Sequence, residues 1–169
     1  MSYSSLISGY LLSPNCTKPR NHSIDRITPH YMAAYSTAKS CCEWFCKKST
    51  RASANYCIGY DGEIWLCVNE DNRAWTTGSA YNDNRAVTIE CANLSNGRLP
   101  DATWASLVKL CDTGPTGFTL MSNVSLSQSS LIDTTLRKFP LSSPFVQRRF
   151  LVRLKKVTLP VSMVLSRAS

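Results

Sequence analysis

The sequence predicts an α/β domain in which a mixed central β-sheet is flanked by helices. Three observations carry that expectation. Short runs rich in β-branched and aromatic residues recur near Ile24, Tyr56, Ile64 and Val87, the composition that suits a pleated, half-buried surface. Two stretches, around Cys42 and around Leu107, place apolar residues at helical spacing. Asp61-Gly62 falls between two of the strand-like runs, a strong hairpin signal because both residues tolerate the turn's backbone angles.

Taken in order, Ile24-Asp25-Arg26-Ile27-Thr28-Pro29 reads as the first strand. Pro29 has no N–H to give to a ladder, which limits that strand to an edge or an end. Thr37 is placed to cap a helix running from about Ala38 to Lys48. Ala38, Cys41, Cys42 and Phe45 fall at i, i+3, i+4 and i+7, one apolar face. Lys47 and Lys48 sit where a helix dipole favours cations. Tyr56 to Tyr60 and Glu63 to Val68 are the arms of the hairpin. Asn69 to Arg85 is polar and reads as a long ordered loop, a kind usually kept for function. A strand holding Val87, Thr88 and Ile89 follows and ends in Glu90. Pro100 and Asp101 open a second helix with Trp104, Leu107, Val108 and Cys111 on one face.

The chain has 169 residues, which suits one core. No apolar run approaches the ~20 residues of a membrane helix. Met1 to Ser5 carries no positive charge ahead of a greasy stretch, so the expectation is synthesis in the cytoplasm without a cleaved signal. Most of the eight cysteines lie inside periodic apolar segments, where free cysteine behaves as a small hydrophobe. They are expected to be reduced and buried. Cys42 and Cys46, one helical turn apart, have the spacing to chelate a metal but no CxxC partner or histidine beside them.

Charge divides the chain. Through Asp112 there are 11 basic and 10 acidic residues; from Thr113 onward there are 8 basic and 1 acidic. Serines crowd Ser122 to Ser130, and Pro140, Pro144 and Pro160 break any long element there. The expected organisation is therefore a domain over 20–112 and a basic, Ser-rich tail over 113–169. Such a tail has the charge to adhere to nucleic acid or to an anionic cell surface.

Glu90 is out of place in its apolar strand, because a carboxylate loses hydration on burial and needs a partner. Three readings fit the residues alone: a solvent-facing strand end, half of a salt bridge, or a catalytic base held at a sheet edge. His30, directly after the first strand, reads on its own as a surface or hydrogen-bonded histidine.

The motifs arrive in a telling order: Ile27-Thr28-Pro29-His30-Tyr31-Met32-Ala33, then Arg51-Ala52-Ser53-Ala54-Asn55-Tyr56, then Asp61-Gly62. Asn72-Arg73-Ala74-Trp75, Asn82-Asp83-Asn84-Arg85 and Val87-Thr88-Ile89-Glu90 complete the series. Over about residues 20 to 112 the chain resembles the zinc-dependent N-acetylmuramoyl-L-alanine amidases of the type-2 family. That family includes bacteriophage endolysins and the animal peptidoglycan-recognition proteins. The resemblance implies a peptidoglycan hydrolase acting on the bacterial wall, with Zn2+ as cofactor. It would cut the amide between N-acetylmuramic acid and L-alanine, with the metal activating water and polarising the carbonyl. It implies His30 as a metal ligand and Glu90 as the catalytic base beside the metal-bound water. Tyr56 corresponds to an active-site tyrosine able to donate to the developing oxyanion. Trp75 and Asn84 correspond to loop positions near the substrate cleft, where packing and turn roles are equally open.

The family draws its other ligands, a histidine and then a cysteine or aspartate, from its C-terminal portion. Here the only histidines are His22 and His30, and no cysteine follows Cys111. The tail's loss of motif, acidity and periodicity together favours translation out of the ancestral frame over a recombinant module. Two function classes stand: an amidase, crippled by its missing ligands, or a non-catalytic peptidoglycan-binding protein whose basic tail adheres to anionic wall polymers. Specific nucleic-acid binding has only the tail's charge behind it.

Overall fold

The computed structural model of the chain describes residues 2–113; the expectations for the tail lie outside the described residues. Strands β1 (Gly9–Tyr10), β5 (Ile64–Leu66), β4 (Tyr56–Ile58), β7 (Ala86–Cys91) and β3 (Arg26–Tyr31) form a five-stranded sheet in the order β1-β5-β4-β7-β3. Only β4 and β5 pair antiparallel; the other three pairings are parallel. Strands β2 (Cys16–Thr17) and β6 (Arg73–Ala74) make a small antiparallel pair apart from it. The sheet is mixed and has helices packed on it, as the sequence predicts.

Sequence explains much of this placement. β7 is central and buried at five of its six positions, which its run of apolar and β-branched residues suits. Pro29 lies within β3, and β3 is an edge strand, where a missing N–H costs nothing on the open side. Helix α1 (Ala38–Cys46) starts where expected: the Thr37 hydroxyl accepts from Ser40 N at 3.1 Å. The Glu63 carboxylate adds a second acceptor, taking the Ala38 N–H at 2.9 Å, where the helix dipole favours an anion. The helix is shorter than the sequence suggests. The Trp44 carbonyl is claimed by Lys47 N and by the Thr50 hydroxyl, so Lys48–Thr50 tighten into a 3₁₀ turn and the lysines leave the last α-turn.

The two faces of the sheet are filled differently. One carries Tyr56, Ile58, Ile64, Leu66, Val87 and Ile89 against Leu107, Leu110 and Cys111 of helix α3 (Asp101–Thr113). The other buries Cys57 under Ala38, Cys42 and Phe45 of α1, with Ala52, Ala54 and Cys67 alongside. Helix α3 is pinned to the β4–β5 connection by Thr103 Oγ1 donating to Gly59 O and Ser106 Oγ donating to Gly62 O, both at 2.7 Å. Gly62 has φ +86°, and a Cβ there would meet the Ala102 carbonyl oxygen at 2.8 Å. Glycine is therefore required both for the turn and for the approach of α3.

Two features depart from the expectation. The stretch after Asn69 is not all loop: it contains β6 and helix α2 (Ala80–Arg85). Neither has an apolar period. They are set by polar contacts, with Ser79 capping Asn82 N and the Asp83 carboxylate accepting from Thr76 N, Thr77 N and Thr77 Oγ1. Residues before 20 also belong to the folded unit, since β1 pairs with β5 and Ser4 N donates to the Tyr56 hydroxyl at 2.8 Å.

Arg20 fastens this segment to the sheet. Its guanidinium donates to the carbonyls of Glu70, Asn72, Asn84 and Ala86, the last three at 3.0, 2.9 and 3.1 Å. Several charge-assisted bonds to one side chain make it a strong clamp. Arg20→Ala is expected to lower stability by about 2–4 kcal/mol, read as a fall in the urea midpoint at unchanged m-value.

Candidate active site

His30 and Glu90 are brought together by strand pairing. They are register partners on adjacent parallel strands, β3 and β7. Side chains of register partners emerge on the same face, and neighbouring strands lie about 4.8 Å apart. His30 is 4% exposed, while Glu90 is half-buried, the one position of β7 that is not buried. The awkward carboxylate therefore sits beside an imidazole near the C-terminal ends of parallel strands, where open α/β sheets place their clefts. On the other side of Glu90 its register partner is Cys57 of β4; against a lowering hydrogen bond with Cys57, burial and then the Glu90 charge raise the pKa of the Cys41 thiol of α1. The row His30, Glu90, Cys57 thus lines the face that α1 covers.

Tyr56 lies on the opposite face of the sheet from His30 and Glu90. Its register partner is Ile89, one residue before Glu90. Because strand side chains alternate, Tyr56 faces the α3 core. It is fully buried there; its hydroxyl donates to the Glu70 carboxylate and accepts from Ser4 N at 2.8 Å. Burial, and next the Glu70 carboxylate, push the phenol far above its ordinary pKa. Tyr56→Phe would strand a buried carboxylate and a backbone N–H. It is expected to cost about 2–4 kcal/mol, seen as a lower Tm, without altering any chemistry at Glu90.

Trp75 and Asn84 are held by hydrogen bonds to neighbouring segments. The Trp75 backbone exchanges bonds with Ser53, through its O at 2.9 Å and its N to Ser53 Oγ at 3.0 Å, and its indole N–H donates to Thr17 Oγ1 at 3.0 Å. Asn84 lies in α2, which enters β7 at the end opposite Glu90. Its amide accepts from Asn21 N at 3.0 Å and donates to Ala80 O at 2.8 Å. The place of Cys57 beside Glu90 depends on the register between β4 and β7, which local sequence does not set.

A three-ligand zinc set at His30 does not fit the described residues. His22 is the only other histidine in the sequence. It is exposed, 2.8 Å from the Arg85 guanidinium, where β7 begins, at the opposite end of the β3–β7 ladder from His30. Among the described residues the one group of three converging ligand atoms is Cys42, Cys57 and Cys67, not a set that includes His30.

The geometry defines a mixed α/β domain with a histidine–carboxylate pair on parallel strands, and known structures share that fold. The chain is similar to a selenomethionine AmpD derivative at 18% identity, covering 67% of this chain and 78% of that one, with TM-score 0.51. It is also similar to a mutant endolysin from Bacillus subtilis at 18% identity, covering 63% and 75%, with TM-score 0.50. These likenesses establish the fold. Comparison with curated protein sequences gives no match. The family model for N-acetylmuramoyl-L-alanine amidase matches residues 20–123, and the chain belongs to that family, whose members act on peptidoglycan.

Proposed function

We propose that this chain engages peptidoglycan at the His30–Glu90 row and hydrolyses it only weakly. The observation that carries the reading is the registered pairing of His30 with Glu90 on parallel strands inside a domain of the amidase family. The bond addressed is the amide joining the lactyl group of muramic acid to L-alanine. Glu90 is the proton carrier: it takes a proton from the attacking water and later delivers one to the departing amine of alanine. His30, held on the same face, orients the reacting groups beside it.

Magnitudes explain the weakness. A bound zinc brings the pKa of water from about 15.7 to about 7. Without that assistance water is a poor nucleophile, and the ligand set for the metal is not complete among the described residues. The non-catalytic alternative, a peptidoglycan binder, gains support from the same lone histidine. Cosedimentation of the full chain with purified peptidoglycan, with mass spectrometry of the supernatant, tests the proposal. Expected is binding to the wall pellet with at most a trace of free stem peptide. A chain that stays in the supernatant and releases nothing would refute it.

A further inference from the structure

Cys42, Cys57 and Cys67 come from three separate elements: α1, β4 and the residue after β5. Their sulfur atoms all lie within 4.8 Å of one another, and all three residues are completely buried. All eight thiols are free. We propose that this trio is a structural site for a thiophilic d10 cation, Zn2+ being the best chemical match, distinct from the His30–Glu90 pair.

Geometry supports an ion at the centre. Zinc–sulfur bonds are about 2.3 Å, which sets bound thiolates roughly 4 Å apart, so the trio needs only a small contraction. Three sulfurs make up the converging set, which leaves the fourth position of a tetrahedral ion to a further ligand. The donor set is wholly sulfur, which selects soft or borderline ions over calcium and magnesium. Binding replaces the thiol protons with the cation, and those protons leave to solvent. The ion would tie α1 to the β4–β5 hairpin beside Glu90, whose register partner is Cys57. The site does not depend on the amidase reading, because it uses neither His30 nor Glu90.

Cobalt titration of the reduced full chain is the direct test. One equivalent of Co2+ should give sulfur-to-cobalt charge-transfer absorption in the near ultraviolet, and added Zn2+ should bleach it. The band should persist in His30→Ala and vanish in Cys57→Ser and in Cys67→Ser. Should those variants fail to fold by circular dichroism, zinc is titrated into metal-free His30→Ala protein instead. It should raise Tm by about 5 °C or more, reversed by chelator. No charge-transfer band, a band that survives Cys57→Ser in folded protein, or no zinc-dependent rise in His30→Ala would each overturn the proposal. So would a disulfide between any two of the three under the reducing conditions used.

Discussion

Incubated with purified peptidoglycan, the unmodified chain is expected to release almost no stem peptide. Reinstating a histidine and a cysteine after Asp112, at the spacing used by the family, should raise release more than ~100-fold. Loss of a mere supporting partner already costs ~10–100-fold at metal sites, and this sequence has no histidine after His30 to supply the family's second ligand. In that restored protein Glu90→Gln should lower turnover by about 10²–10⁴-fold, the usual worth of a positioned general base, while the metal stays bound. The glutamine keeps the shape and half-buried setting of Glu90 but cannot accept the proton. Mass spectrometry of released peptides reads both steps. Metal content alone is not the readout, because zinc at Cys42, Cys57 and Cys67 would register as well. The zinc that matters for turnover is the increment abolished by His30→Ala. Release by the unmodified chain at the restored rate would contradict the reading, and so would Glu90→Gln turning over undiminished.

The largest stability effect is expected at Asn55, which lies just before β4 and is completely buried. Its side-chain oxygen accepts from Thr88 N at 3.1 Å and from Thr88 Oγ1 at 3.2 Å, while its amide nitrogen donates to Val68 O at 3.0 Å. Its backbone N–H donates to Thr88 O at 3.0 Å, and its carbonyl takes the Cys67 N–H at 2.8 Å. One residue thus joins β7 to the end of β5 across the start of β4. Asn55→Ala keeps the backbone bonds and orphans the Thr88 N–H and the Val68 carbonyl in a dry interior. At about 1–3 kcal/mol for each buried unsatisfied group, the loss should total about 3–5 kcal/mol. That is a large share of the ~5–15 kcal/mol that holds a typical domain. Urea unfolding followed by circular dichroism measures it, and a loss below about 1 kcal/mol would mean that water or local repacking satisfies these groups.

The sequence by itself determined the features whose causes are local. Thr37 marks the start of α1 because a hydroxyl there can take an orphan N–H. Asp61-Gly62 marks the hairpin because glycine alone suits the φ of +86° at its turn. Pro29 marks an edge strand because it has no N–H to donate. The motif series placed His30 and Glu90 in one family pattern. Tertiary structure decided what depends on register between distant segments. A strand's side chains change face at every residue, so the pairing of Tyr56 with Ile89 rather than Glu90 sends the phenol into the α3 core. The two-residue strand Gly9–Tyr10 is too short to show any period and exists because β5 offers it an edge. The carbonyls gathered around Arg20 belong to Glu70, Asn72, Asn84 and Ala86, which no spacing rule connects to position 20. The meeting of Cys42, Cys57 and Cys67 is of the same kind: each reads in sequence as a small apolar residue, and only the packing of α1 on the hairpin brings their sulfurs to one point.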